Sequence, residues 1–360
     1  MAGSLDAKIK TGSHDLPFNE IIYCNIGNPH NLGQKPISFF REVMASVQCP
    51  DLLTADKLAL TSQLFPADAI ARAQFILDAL PGGIGQYSPS QGVAFVRQHV
   101  AEFIAARDGY PASASDIFLT NGASDGIAVL MKVIVRDPTD GIFIPIPQYP
   151  LYSATLSLMG APGIDYTLDE SNNWGMSGEQ LAEAHAGAVA KGINPRALVV
   201  INPGNPTGQV LSEEQMKATL QFCYDHHVVL LADEVYQENV YNSERKWRSF
   251  KAVLQEMPAE VRDSVEMASF HSTSKGFIGE CGFRGGYMEL INIDEEVRGQ
   301  ILKRFSMQLC SNVSGQIMVT NYIYISIYVV ITSVTAYMSS YIHLVIYIML
   351  TCLCDYTVYV

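Results

Sequence analysis

Lys275 lies in Ser272-Thr273-Ser274-Lys275-Gly276, upstream of Arg284. A primary amine among hydroxyls, with a guanidinium to follow, suits a ligand that carries both an aldehyde and a phosphate. The amine condenses with the first, while Ser272, Ser274 and Arg284 hold the second through charge-assisted hydrogen bonds. Pyridoxal phosphate carries both groups, and its lysine normally comes with an acid for the pyridine nitrogen. Asp233 offers that acid, at the end of the apolar run Val228-Val229-Leu230-Leu231-Ala232. A carboxylate at the mouth of a buried sheet needs a cation to stay charged. A pyridinium N–H supplies one; a strand-end aspartate that caps the next helix is the plainer alternative.

Tyr236 follows in Asp233-Glu234-Val235-Tyr236 and could set its hydroxyl near the ring's phenolic oxygen, or simply pack. Asn202-Pro203-Gly204-Asn205-Pro206-Thr207-Gly208 reads as a rigid loop, because prolines fix the backbone and glycines permit tight turns. It presents Asn205, whose amide can donate to the phenolic oxygen and to a substrate carboxylate. Asn121-Gly122-Ala123-Ser124-Asp125-Gly126 joins a strand to a helix, so its N–H groups and the Ser124 hydroxyl form either an anion cradle or a helix cap. Tyr149, in Pro147-Gln148-Tyr149-Pro150, reads equally as a stacking ring or a core aromatic. Tyr87 sits in the glycine-rich loop Gly85-Gln86-Tyr87-Ser88. The histidines show no metal-ligand spacing, and no metal is expected.

The elements that must position these groups alternate from about Ser115 to Tyr287. Asp116–Thr120, Gly141–Pro145, Arg196–Asn202, Val228–Ala232 and Ser264–His271 read as strands; Ala123–Val135 and Ser212–His227 read as helices, the latter capped at Ser212. The pattern predicts an α/β domain with a mostly parallel sheet between helices, its ligands beyond the strand C-termini. All of the motifs above fall at such loops.

A chain of 360 residues can bury a large core, as one large domain or two unequal ones. A net charge of −13 excludes nucleic acid or an anionic membrane surface as the main partner. Seven scattered cysteines form no disulfide framework, and the first residues lack an apolar signal core, so a cytoplasmic location is the expectation.

No Asp, Glu, Lys or Arg occurs between Arg304 and Asp355, and eight of the eighteen tyrosines fall from Asn321 onward. The alternation Tyr322-Ile323-Tyr324-Ile325 is also what a TATATA nucleotide tract encodes. We read this tail as non-coding sequence carried into the frame. A membrane anchor and an unusual buried segment are the alternatives, although no basic cluster flanks the tail and Ser, Thr and Tyr interrupt it.

Together these residues resemble the fold-type I, class I/II pyridoxal-phosphate aminotransferases, and among them the alanine aminotransferases of plant type. The likeness runs from about Asn19 to Met318. It rests on Tyr23-Cys24-Asn25-Ile26-Gly27-Asn28-Pro29-His30, Pro145-Ile146-Pro147-Gln148-Tyr149-Pro150-Leu151-Tyr152-Ser153, Ala232-Asp233-Glu234-Val235-Tyr236-Gln237-Glu238-Asn239 and Ser274-Lys275-Gly276 with Gly279-Glu280-Cys281-Gly282.

The resemblance implies a large domain with a mostly parallel seven-stranded sheet and an incomplete small domain. It divides the chain into an N-terminal arm with part of the small domain (1–50), a cofactor-binding domain (51–319) and the apolar tail (320–360). It implies Lys275 as the catalytic lysine, Ala123 joining Ser124, Ser272, Ser274 and Arg284 at the phosphate, Gly27 in a loop over substrate, and Tyr87 reaching a neighbouring subunit in a homodimer. The implied activity is ping-pong transamination between L-alanine and 2-oxoglutarate. The family's second arginine, which clamps the substrate carboxylate, has no counterpart after Arg304. Weak cofactor binding and impaired turnover are therefore expected. Another pyridoxal-phosphate chemistry on the same fold, such as a lyase, and a non-catalytic or membrane-associated product are the competing readings.

Overall fold

Near-continuous runs of Val, Ile, Leu and Ala become strands covered on both faces, as parallel sheets require. In the computed structural model the described residues are 2–21, 27–242 and 244–337, with side chains described as far as residue 327. Among them, seven strands form one sheet: β1 (Ile117–Thr120), β2 (Asp140–Ile146), β3 (Gly163–Thr167), β4 (Asn194–Ile201), β5 (Val229–Asp233), β6 (Met267–Ser272) and β7 (Gly286–Ile291). Their order is β1-β7-β6-β5-β4-β2-β3. β3, β2, β4, β5 and β6 run parallel, and β7 is antiparallel to both β6 and β1.

The period of two along each strand sorts the core. Ala197, Val199 and Ile201 of β4 pack with Ile127, Leu130 and Met131 of the Ala123–Ile134 helix. Leu198 and Val200, pointing the other way, pack with Met216 and Leu220 of the Glu213–His226 helix. That helix opens on a capping box between Ser212 and Gln215 and closes at His227 in a left-handed conformation, as the Ser212 signal predicts.

The five expected strands form, with ends shifted by up to a few residues. The sequence pattern does not single out β3 and β7, for identifiable reasons. β3 reads Gly-Ile-Asp-Tyr-Thr and alternates exposed with buried positions at the sheet edge. β7 carries Glu289 inside its apolar run, and Lys251 Nζ neutralises that carboxylate at 2.5 Å.

The antiparallel β7 matters for the site. Its first residue, Gly286, pairs with Thr120 and with Ser272, the last residues of β1 and β6. The segment that enters β7 therefore reaches the edge where the parallel strands end, and it carries Arg284 there.

The chain forms two compact units, Met1–Pro36 and a larger one that begins at Ile37. The Ser38–Gln48 helix buries Phe40, Val43, Met44 and Val47 in the core of the larger unit, which is why the boundary precedes it. The Val313–Tyr337 helix runs through residue 319 without a break. Ile317, Val319, Tyr322 and Ile323 share one cluster. Arg72 donates to the Thr320 carbonyl at 3.1 Å, to Thr320 Oγ1 at 2.7 Å and to Asn321 Oδ1 at 3.1 Å, which gives these buried acceptors a partner. The first residues of the expected tail are thus core. Residues 338–360, on which most of the tail and membrane-anchor readings rest, lie outside the described residues. Among the described residues no helix is long and apolar enough to cross a membrane.

Candidate active site

Asp233 ends β5 with its side chain buried. Tyr152, on the Leu151–Met159 helix, donates its hydroxyl to Asp233 Oδ2 at 2.6 Å; the Val235 N–H reaches Oδ1 at a long 3.4 Å. Burial pushes the Asp233 carboxyl above its ordinary range. The two hydrogen bonds and the positive charge of Lys275 act in the opposite direction. The carboxylate is therefore short of positive charge, and a cation at this position would relieve it.

Lys275 follows β6. Its Nζ lies 5.6 Å from the centre of the Tyr236 ring. Asn205 donates through Nδ2 to the Tyr236 hydroxyl at 3.2 Å. Burial, reinforced by Asp233 and Tyr149, pushes the Tyr236 phenol up to about 12, so it stays protonated and able to donate. Tyr149 is partly exposed and close enough to act electrostatically on Tyr236 and Tyr152.

The loop that presents Asn205 is pinned from several sides. The Gly204 N–H donates to the Gln209 carbonyl at 2.9 Å, Leu211 N–H to Asn202 Oδ1 at 3.1 Å, and Trp247 Nε1 to the Asn202 carbonyl at 3.0 Å. The space beside the Gly204 Cα is filled by the Gln209 side-chain amide, 1.9 Å from where a Cβ would stand. The peptide bonds before Pro203 and Pro206 are cis.

Beside this group is a cup of donors. Arg284 donates through Nη1 to Ser274 Oγ at 3.2 Å and through Nη2 to Ser124 Oγ at 3.3 Å and the Asn121 carbonyl at 3.0 Å. Ser272 Oγ contacts Ser274 Oγ at 3.0 Å. The floor is the first turn of the Ala123–Ile134 helix, which no side chain caps and whose N-cap, Gly122, has φ of 81°. Uncapped N–H groups at a helix start, three hydroxyls and a guanidinium make a donor set matched to a phosphate dianion. Gly122 is dictated by the packing, since a Cβ there would lie 2.4 Å from Arg284 Nη2.

The fold thus brings Ala123, Ser124, Ser272, Ser274 and Arg284 into one cluster and Tyr149, Asn205, Asp233 and Tyr236 into another. Lys275 joins them, one residue from Ser274. An aldehyde, a phosphate and a basic ring nitrogen on one small molecule fit this set of groups. Tyr87 is 76% exposed on its loop, and Gly27 belongs to the Met1–Pro36 unit, where it leads toward the Pro29–Leu32 turn. Sequence reasoning missed participants. Tyr152 carries no spacing signal that ties it to Asp233, and Asn312 meets Asn121 Oδ1 through its N–H at 2.8 Å from far along the chain.

Comparison with known proteins gives the family and the fold. Residues 53–324 match the family described as aminotransferase class I and II. The chain is 51% identical over 319 residues to alanine aminotransferase 1, mitochondrial, of Arabidopsis thaliana, covering 88% of this chain and 58% of that protein. It is 51% identical over 298 residues to glutamate–glyoxylate aminotransferase 1 of the same plant, covering 83% and 61% respectively. In fold it is similar to the alanine aminotransferase of Pyrococcus furiosus, with a TM-score of 0.66 and 20% identity over 89% of this chain and 68% of that one. The chain spans roughly three fifths of the length of these curated relatives.

Proposed function

Because the chain belongs to the class I and II aminotransferases, we propose that it transfers an amino group between L-alanine and 2-oxoglutarate, giving pyruvate and L-glutamate, with pyridoxal 5′-phosphate as cofactor. One observation carries the reading: the Lys275 amine, the Asp233 carboxylate and the Ser/Arg cup converge at one sheet edge. The names of the relatives supply the substrate class. A lyase or a non-catalytic product has no specific observation in its favour.

When bound, the cofactor supplies an aldehyde and a protonated pyridine ring that withdraws electrons from the reacting carbon. Ser124, Ser272, Ser274 and Arg284, with the Ala123 end of its helix, would hold the phosphate. Asp233, steadied by Tyr152, would keep the ring nitrogen protonated. Asn205 and Tyr236 would donate to the ring's phenolic oxygen, Asn205 also to the substrate carboxylate, and Tyr149 would cover the ring face. Lys275 Nζ would tether the cofactor and then, as a free amine, carry the proton off the substrate α-carbon, a role worth roughly 10²–10⁴-fold in rate. Tyr87, exposed on its loop, is proposed to complete the phosphate site of a second copy in a homodimer. Gly27 enters the proposal through the resemblance alone.

The experiment is borohydride reduction of the protein with pyridoxal phosphate, followed by peptide mass mapping and an alanine/2-oxoglutarate assay. A pyridoxyl adduct on Lys275, absent in Lys275→Ala, and 2-oxoglutarate-dependent pyruvate formation are expected. Labelling spread over surface lysines, with none on Lys275, would refute the reading.

A further inference from the structure

We propose that Tyr322 and Glu238 form a positioning device for the Lys275 loop: the Tyr322 hydroxyl holds Glu238, and Glu238 holds the N–H of Phe277. The inference rests on the reading of Lys275 as the reactive amine.

The loop after Lys275 is gripped at two successive backbone N–H groups by two successive side chains. Asn239 Oδ1 accepts from Gly276 at 3.0 Å, and the Glu238 carboxylate accepts from Phe277. Gly276 has φ of 69°, and a Cβ there would stand 2.3 Å from Glu238 Oε2. The Glu238 carboxylate therefore fills the space beside the Gly276 Cα, against the backbone next to the amine. Any shift of Glu238 passes to the loop that carries Nζ.

Glu238 is itself held from the far end of the chain. Tyr322, buried on the Val313–Tyr337 helix, donates its hydroxyl to Glu238 Oε1 at 2.7 Å. The same phenol oxygen lies 3.1 Å from His271 Nε2 and 3.4 Å from Gln237 Nε2. Burial lowers His271 to about 3, so this imidazole is neutral and brings no competing charge. Gln237 is fixed in turn by Arg107, which donates to its Oε1 at 2.8 Å. The Tyr322 ring also touches Phe277 itself, at 6.3 Å between centroids.

Without the hydroxyl, Glu238 would be a mostly buried carboxylate stripped of a close donor. Burial already raises it above its ordinary range, so it would take up a proton or turn toward solvent. Either response loosens Phe277 and frees the segment that sets the direction of Lys275. Tyr322 lies in the stretch that the sequence alone sets apart as foreign to the fold, yet it braces the most chemically informative loop of the chain.

The test is hydrogen–deuterium exchange on the full chain without added cofactor, in Tyr322→Phe, Glu238→Ala, their combination, and Glu238→Gln. The first two are expected to exchange over residues 275–278 on the order of 10-fold faster than the parent, with β5 and β6 unchanged. The combination should go no further than either, since both remove one linkage. Glu238→Gln should retain most of the protection, because an amide oxygen can accept from both partners. Unchanged exchange in Tyr322→Phe overturns the proposal. So do acceleration spread across β5 and β6, collapse of both single variants, or a Glu238→Gln chain as open as Glu238→Ala. Borohydride trapping of Lys275 in the parent chain scores the functional reading separately.

Discussion

The Tyr152 hydroxyl donates to Asp233 Oδ2 at 2.6 Å across 81 residues of sequence, and both side chains are buried. A short bond from a neutral phenol steadies the carboxylate without neutralising it, so a cation on the ligand is still needed.

Removing that bond should show in stability and in cofactor binding. Tyr152→Phe leaves a buried carboxylate oxygen unpaired, at a cost of about 1–3 kcal/mol. Urea denaturation measures the loss. Pyridoxal phosphate should also bind more weakly, because Asp233 then favours its protonated form. An absorbance titration that superimposes on that of the parent would contradict the role given to this pair.

Arg284 is expected to read the phosphate alone. Arg284→Ala should weaken pyridoxal phosphate roughly 100-fold, the scale of a lost charge-assisted contact, while pyridoxal without its phosphate is hardly affected. Equal losses for both ligands would place Arg284 elsewhere in the chemistry.

Gly122→Ala tests the floor of the cup. At φ 81° and ψ 164° the backbone is nearly confined to glycine, and the added methyl would meet Arg284 Nη2. A stability loss of about 1–3 kcal/mol is expected, together with weaker phosphate binding. Thermal melting with and without inorganic phosphate separates the two effects.

Glu234 provides a pH signature independent of any ligand. It is buried between the Phe250 N–H at 2.8 Å and the Ser269 hydroxyl at 2.5 Å, and burial raises it to about 7 from 4.5. A carboxyl raised in the folded state binds its proton more tightly there than when unfolded. It therefore costs stability as pH climbs from 4.5 through 7, on the order of 3 kcal/mol in all. Glu234→Gln carries no such titration, so its stability relative to the parent should improve across that window. A difference independent of pH from 4 to 8 would remove Glu234 from this account.

Much of this was legible beforehand because it is local. Lys275 beside Ser272 and Ser274, Asp233 at the end of an apolar run, and Asn205 between prolines all announce themselves through neighbours in the chain. The capped Glu213–His226 helix and the interior strands follow from periods that side-chain burial imposes on any sequence. What stayed hidden depends on partners distant in sequence. β7 was obscured by Glu289, whose charge becomes tolerable only once Lys251 is folded against it. The burial of Thr320 and Asn321 was hidden for the same reason, since they look like tail until Arg72 donates to them.

By itself, the sequence determined which groups could do the chemistry and that they lie on loops after strands. Only the tertiary structure decided that Arg284 meets Ser124 and Ser274, that Tyr152 serves Asp233, and that Tyr322 reaches Glu238. The physical reason is the register of an antiparallel strand and the crossing of a late helix. Each brings residues far apart in the chain within hydrogen-bond reach, and no local pattern records where such crossings fall.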